Sequence, residues 1–125
     1  MIETQKETLM GMYVSMMRIR RFEEELADLF AAGGIPGIIH TYIGEEAVAV
    51  GACSNLRKDD YITSTHRGHG HCIAKGGNLK KMAAEILGKD TGYCRGRGGS
   101  MHICAPEVGI VGCSGVVGST IPIAA

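Results

Sequence analysis

The 125-residue sequence predicts an α/β layered fold, and three features of the chain indicate it. A long stretch of helical periodicity opens the chain, a β-favouring run lies near its middle, and helix and strand patterns alternate. Most of the 19 glycines follow residue 33 and separate the later elements by loops. We therefore expect two units, an N-terminal helix over residues 1–34 and an α/β body over residues 35–125.

The first predicted helix runs from Thr4 to Ala32. Its apolar residues recur every three or four positions: Leu9, Met12, Met16, Ile19, Phe22, Leu26 and Leu29. Either Thr4 or Thr8 is the expected N-cap, and Glu7 stands in capping-box position after Thr4. The Gly33-Gly34 pair is expected to end the helix.

Three elements are predicted in the next third of the chain. Residues 35–43 form a loop or a short extended piece around Pro36. A second helix is expected from Glu45 to Leu56, and small residues on one face allow close packing. A strand is expected from Tyr61 to Thr65, where β-favouring residues follow a charged turn.

The last part of the chain combines one helix with glycine-rich segments. Asn78 is the expected N-cap of a third helix, Leu79 to Leu87, which Gly88 closes. Residues 90–106 form a glycine-rich loop, and residues 108–124 alternate glycine with β-branched residues. Helices and strands thus alternate after the long first helix.

Composition and charge argue against several classes of partner. The 13 basic and 13 acidic residues cancel, whereas a general binder of nucleic acid or anionic membranes would carry a basic excess. Aromatic residues are scarce, which disfavours a platform for base stacking. The first ten residues carry charges where a signal peptide would need an apolar core. We expect neither a nucleic acid nor a membrane as partner.

The cysteines indicate a reducing environment. They are odd in number and form no Cys-x-x-Cys pair: Cys53, Cys72, Cys94, Cys104 and Cys113. This pattern disfavours both a disulfide framework and a zinc ribbon. A cytoplasmic location is therefore expected.

Two glycine-rich segments carry the strongest functional signal. Residues 95–102 combine three glycines with two arginines, a serine and a histidine, and residues 65–70 again place Arg and His among glycines. Glycine lets backbone approach a ligand closely, and the guanidinium group suits an anion. The pattern predicts a phosphate-bearing ligand.

A metal site is the alternative hypothesis for this part of the chain. His66, His69, His71 and Cys72 are residue types that bind zinc. A second cluster at finger-like spacing is missing from the sequence, so this alternative is the less favoured one.

Four motifs in order resemble a known family. They are His40–Ala47, Thr65–Gly70, Arg95–His102 and Gly115–Pro122. Together they resemble the N-terminal part of the alpha subunit of thiamine-diphosphate-dependent dehydrogenases, the first components of the pyruvate, branched-chain 2-oxo-acid and acetoin dehydrogenase complexes. The resemblance covers nearly the whole chain and implies the thiamine-diphosphate-binding fold, represented by its N-terminal portion.

The resemblance assigns roles to five residues. It implies that His40 is the catalytic candidate, at the reactive thiazolium end of the cofactor. His66 and Arg67 match the pair that meets the cofactor diphosphate. Gly115 and Val117 match positions whose main chain contacts the aminopyrimidine ring. Four polar residues of segment 95–102 are expected to shape the wall of the site and the subunit contact: Arg95, Arg97, Ser100 and His102.

The resemblance also implies partners and a metal. The family decarboxylates a 2-oxo acid or cleaves acetoin and passes the acyl group to lipoyl-lysine of an acyltransferase component. Its alpha and beta subunits form a heterotetramer, and the beta subunit supplies the activating glutamate. Magnesium is held by a Gly-Asp-Gly motif and a later Asn, which we expect downstream of residue 125, so no metal ligand is assigned here. We expect the chain alone to be inactive, and a non-catalytic remnant or subunit-interaction fragment is the alternative.

Overall fold

The computed structural model describes residues 5–125 and shows helices around a small parallel sheet, which confirms the predicted α/β class. The elements in chain order are α1 (Lys6–Ala31), α2 (Glu46–Cys53), β1 (Ile62–Ser64), α3 (His69–Ala74), α4 (Leu79–Ile86), β2 (Ile110–Cys113) and α5 (Ile121–Ala124), with one turn of 3₁₀ helix at Pro106–Val108. No helix in residues 5–125 is long and apolar enough to cross a membrane.

Helix α1 begins one residue after Gln5, whose side chain makes no capping hydrogen bond. Thr8 lies inside the helix, so its prediction as the N-cap is wrong. The other predicted cap, Thr4, lies outside the described residues, together with its pairing to Glu7.

The end of α1 is the predicted one. Gly33 adopts a φ of +75°, and its amide donates to the carbonyl of Phe30 at 2.9 Å. The amide of Gly34 donates to the carbonyl of Leu29, also at 2.9 Å. These two bonds are those of a Schellman cap, which needs the left-handed backbone that glycine adopts without strain.

Helix α1 packs on α2 and α3 and buries Ile19, Glu23 and Leu26. Ile19 belongs to the main core cluster, and Leu26 packs with Ile35 and Ile86 in a second, smaller cluster. Leu9 remains 54% exposed although it belongs to the predicted apolar stripe. The main core cluster includes Ile19, Tyr42, Ala49, Val50, Cys72, Ile73, Met82, Ile103, Ala105, Ile110 and Cys113. The division of the chain at residue 34 into two units stays a prediction.

The sheet consists of β1 and β2 in parallel. Ile62 pairs with Ile110 and Ser64 with Cys113, and the register shifts just after Ile62. Parallel strands need a crossover connection, and here it contains α3 and α4. The predicted strand is confirmed in a shorter form.

Helix α3 is a finding that the sequence did not predict, because its glycines resemble those of a turn. A Cβ atom at Gly70 would lie 2.3 Å from the ring of Tyr42, and one at Gly68 would lie 2.1 Å from Cys113 Sγ. Both distances are far below van der Waals contact, so these glycines allow α3 to pack closely on its neighbours.

Helix α4 follows the prediction. The Asn78 side chain accepts hydrogen bonds from the amides of Lys80 at 2.9 Å and Lys81 at 3.2 Å. This is the usual N-cap arrangement, in which a short polar side chain satisfies free amides of the first turn. Gly88 follows the helix with a φ of +69°, as expected of a residue that closes it.

Candidate active site

The glycine-rich loop after α4 is folded around a buried carboxylate. Glu85 is fully buried near the end of α4. Its oxygens accept four backbone N–H groups, those of Cys94 (2.6 Å), Gly96 (2.9 Å), Gly98 (2.7 Å) and Gly99 (3.2 Å). The sequence predicts that this loop approaches an external anion. For these four amides that prediction is wrong, because the anion they bind is Glu85.

Close packing explains the glycines of this loop. Gly96 has a φ of +71°, and a Cβ atom there would lie 2.4 Å from the carbonyl carbon of Gly88. A Cβ atom at Gly98 would lie 2.5 Å from the carbonyl oxygen of His102. Arg95 and Arg97, on either side of Gly96, have exposed side chains.

Ser100 connects the loop to two histidines. It is 5% exposed, and its Oγ accepts a hydrogen bond from the backbone amide of His40 at 3.2 Å. Oγ and the carbonyl oxygen of Ser100 both lie 3.1 Å from His69 Nε2. His69 Nδ1 lies 2.9 Å from Glu23 Oε1, and both of these side chains are fully buried. The polar network thus extends from α1 through α3 to the His40 segment.

The rings of His40 and His66 meet edge to face. Their centroids lie 5.1 Å apart and their planes cross at 87°. The Nδ1 atom of each ring is buried and has no hydrogen-bond partner within the described residues. Buried polar atoms usually have a partner, so these two nitrogens mark a place where a ligand can complete the hydrogen bonding.

Arg67 directly follows His66 and is half-buried. One terminal nitrogen of its guanidinium donates to the carbonyl of Thr41, and its Nε lies 3.9 Å from Glu45 Oε1. A guanidinium group carries five N–H donors, so others remain for an anion. These donors can bind an anionic group.

Gly115 and Val117 lie on the segment that follows β2. A Cβ atom at Gly115 would lie 3.4 Å from Met101 Sδ and 3.5 Å from His102 Nε2. Gly115 is therefore held against the end of the glycine-rich loop. Val117 is 80% exposed on the surface of the described chain. The structure thus groups His40, His66 and Arg67, and it places the other two predicted residues on a separate segment.

The alternative metal cluster is contradicted by its geometry. The nitrogens of His69 are engaged as described, and those of His71 lie 2.8 Å from Ser64 Oγ and 3.3 Å from Tyr42 Oη. Burial lowers the pKa of His71 and, together with nearby thiols and a carboxylate, raises that of Cys72 to about 12. No three His, Cys, Asp or Glu side chains in residues 5–125 are grouped to hold a metal ion.

Sequence reasoning missed the structural importance of Glu85 and gave Ser100 only a general role in the wall of the site. A signal for Glu85 was present, because it shares the buried face of α4 with Met82 and Ile86. A carboxylate at a helix position that the apolar pattern predicts to be buried needs partners. The bonds of Ser100 join distant segments, and its sequence neighbourhood contains no comparable signal.

Several known proteins are similar to this chain. The alpha subunit of acetoin:2,6-dichlorophenolindophenol oxidoreductase from Bacillus subtilis (strain 168) is 55% identical over 119 residues, which cover 95% of this chain and 36% of the relative. The subunit of the same name from Cupriavidus necator is 51% identical over 118 residues, or 94% of this chain and 35% of the relative. The pyruvate dehydrogenase E1 component subunit alpha of Zymomonas mobilis is 43% identical over 122 residues, or 96% and 34%.

The chain therefore spans about a third of the length of the curated relatives it matches. The family described as "Dehydrogenase E1 component" matches residues 14–125, which is most of the chain. The matched region contains all four motifs and every site residue discussed above. On this match the chain belongs to the dehydrogenase E1 component family.

Proposed function

We propose that this chain is part of the alpha subunit of a thiamine-diphosphate-dependent dehydrogenase. The assembled enzyme would take an acyl group from a 2-oxo acid such as pyruvate, or from acetoin, and pass it to lipoyl-lysine of a multienzyme complex. Membership of the E1 family, which implies this cofactor in general, supports the proposal. The observation that carries it is a pair of buried nitrogens, on His40 and His66, that have no hydrogen-bond partner in residues 5–125 and lie beside the half-buried Arg67.

The proposal assigns the diphosphate end to Arg67 and His66. The planar guanidinium donates paired hydrogen bonds to phosphate oxygens, and its charge is permanent. Its bond to the carbonyl of Thr41 fixes the side chain from one side, so the remaining donors keep a constant direction. His66 Nδ1 supplies one further polar atom beside the same anion.

His40 is the candidate for proton handling. An imidazole can accept a proton at one nitrogen and donate at the other, which suits it to orient a substrate carboxylate or to hold a hydroxyl proton. When bound, the cofactor supplies the electron sink that cleavage of the substrate carbon–carbon bond requires. The contribution of the protein is to orient the groups and exclude water around them.

The remaining parts of the proposal rest on the motif resemblance. Gly115 and Val117 would present main-chain groups to the aminopyrimidine ring within the thiamine-diphosphate-binding fold. Magnesium, a beta subunit and a lipoyl acyltransferase component belong to the same proposal.

Acetoin is the substrate we favour. Of the three relatives named above, the two acetoin oxidoreductase subunits share 55% and 51% identity with this chain, and the pyruvate dehydrogenase subunit shares 43%. The expected result is a higher kcat/KM for acetoin than for pyruvate in the assembled enzyme. The reverse order of kcat/KM would assign pyruvate instead.

Arg67 provides the test of the cofactor site. In an enzyme assembled from an alpha subunit that carries this sequence and its beta subunit, Arg67→Ala should weaken thiamine diphosphate binding by about 1.5–3 kcal/mol, the usual range for a hydrogen bond to a charged group. Arg67→Lys should recover only part of this, because an ammonium group lacks the planar fork. Calorimetry in the presence of magnesium measures both effects.

Arg18, which is exposed on α1, serves as the matched control, and Arg18→Ala should leave cofactor affinity unchanged. Unchanged affinity in both Arg67 variants would place Arg67 outside the diphosphate site. Failure of the unsubstituted assembly to bind the cofactor at all would favour the non-catalytic alternative.

A further inference from the structure

We propose that Ser100 is a positioning residue that holds His40 in its reactive place, and that two buried carboxylates, Glu23 and Glu85, hold Ser100. The inference rests on the proposed function, because only that function gives His40 a substrate-facing role. It extends that function to a residue that touches neither ligand nor substrate in the proposal.

The contact between Ser100 and His40 is direct. His40 lies in the irregular segment between α1 and α2, so no helix or strand fixes its backbone. Its amide donates to Ser100 Oγ at 3.2 Å, across 60 residues of sequence. Because Ser100 is only 5% exposed, water competes little for this hydrogen bond.

The first support of Ser100 comes through His69. Glu23 Oε1 lies 2.9 Å from Nδ1 of His69, and the carbonyl oxygen of Ser100 lies 3.1 Å from Nε2, so an oxygen that can accept a hydrogen bond faces each ring nitrogen. Ser100 Oγ also lies 3.1 Å from Nε2. His69 thus contacts both the main chain and the side chain of Ser100, while Glu23 holds His69 from α1. Ser100 Oγ accepts the amide of His40 with one of its lone pairs.

The second support acts on the backbone of the loop. The carboxylate of Glu85 binds four amides over residues 94–99, and the last of them, that of Gly99, belongs to the residue before Ser100. The main chain that leads to Ser100 is thereby fixed independently of its side chain. Both carboxylates are fully buried and lie on helices, Glu23 on α1 and Glu85 on α4.

The consequence for His40 is geometric. Within the described residues its ring nitrogen Nδ1 is unpartnered, so the ring is held by its contact with His66 and by its own backbone. Loss of the Ser100 anchor frees that backbone. A misplacement of about 1 Å at a reacting group can lower a rate about 100-fold.

Ser100→Ala in the assembled enzyme tests the proposal with three measurements. The first is hydrogen exchange of the His40 amide, followed by mass spectrometry without cofactor, which should accelerate about tenfold or more as its hydrogen bond is lost. The second is kcat, which should fall between about 10- and 100-fold. The third is thiamine diphosphate affinity, which should stay within about twofold, because the diphosphate site on Arg67 is unchanged.

The control is Ser54→Ala, which removes an exposed hydroxyl at the end of α2 that bonds only within its own turn, to Gly51 O. It should change none of the three measurements. Ser100→Cys keeps a side chain of similar size with a weaker acceptor, so its exchange rate and kcat should lie between those of serine and alanine. If Ser100→Ala does not assemble, the cysteine variant decides by the same measurements.

Two results would overturn the positioning role. An unchanged kcat or an unchanged exchange rate of the His40 amide in Ser100→Ala would show that Ser100 does not position His40. A parallel loss of kcat and cofactor affinity, with faster exchange throughout the core, would reduce Ser100 to a structural residue. Failure of the proposed function can be told apart from failure of the positioning role. In the first case the unsubstituted enzyme would not bind the cofactor, whereas the hydrogen-exchange measurement requires no cofactor.

Discussion

Replacement of Glu85 by glutamine should collapse the internal organisation of the glycine-rich loop. In the structure each carboxylate oxygen accepts two amides: Oε2 from Cys94 and Gly96, and Oε1 from Gly98 and Gly99. Glutamine keeps one oxygen and replaces the other by an NH₂ group, which cannot accept. Whichever way the side-chain amide turns, two backbone N–H groups lose their acceptor and face another donor.

The magnitude follows from these two amides. A buried donor left without a partner costs about 1–3 kcal/mol, so the free energy of unfolding should fall by about 2–6 kcal/mol. A domain of this size is stabilised by only about 5–15 kcal/mol in total. At about 4 °C per kcal/mol, the melting temperature should fall by about 8–24 °C.

Thermal unfolding followed by circular dichroism at neutral pH measures this change. Glu25→Gln is the matched control, because Glu25 is exposed on α1, and its melting temperature should shift by less than about 2 °C. Hydrogen exchange of residues 94–99 supplies a local measurement, and in Glu85→Gln these amides should exchange fastest. A Glu85→Gln protein that melts with the unsubstituted protein would refute the assignment of Glu85 as the anion that organises the loop.

Three further predictions concern packing and pH. Gly11→Ala should raise the free energy of unfolding by about 0.5–1 kcal/mol in urea titrations, because the position is helical and a Cβ atom there meets open space; a loss of stability would contradict this. Gly70→Ala should lower the free energy of unfolding by about 1–3 kcal/mol or more, because its Cβ would lie 2.3 Å from the Tyr42 ring. Gly112→Ala, where space is open, is the control, and an equally small effect of Gly70→Ala would show that α3 can shift. Burial lowers the pKa of His71, so the stability that this residue contributes is fully present above the unfolded-state pKa of about 6.5 and is lost as the pH falls below it. The melting temperature should therefore fall from about pH 7.5 to about 5.5, and an equally steep fall in His71→Gln would show that His71 is not the cause.

Local signals in the sequence predicted the elements whose ends are determined locally. Gly33 ends α1 and Asn78 begins α4 through contacts with residues of the same helix. Helix α3 was missed because Gly70 serves a contact with Tyr42, far away in the sequence. A glycine that permits close packing and a glycine that permits a turn look the same in a single sequence.

The same distinction between local and long-range contacts applies to the candidate site. His66 and Arg67 are neighbours in sequence, so their proximity needed no tertiary information. The contact between the rings of His40 and His66 was not predicted, because distant segments bring them together. The motif resemblance implied only that both residues lie around one cofactor. The network of Ser100 could not be predicted, since each of its side-chain bonds crosses between segments.

The internal carboxylate of Glu85 also determines at which stage the loop loses its conformational entropy. Ordering a residue of backbone costs about 1–2 kcal/mol, so a six-residue loop that became ordered only on ligand binding would reduce the binding free energy by about 6–12 kcal/mol. Here residues 94–99 are already ordered by an anion that belongs to the chain itself. The entropy is lost during folding, and a ligand that meets the neighbouring residues binds to a rigid, preorganised wall.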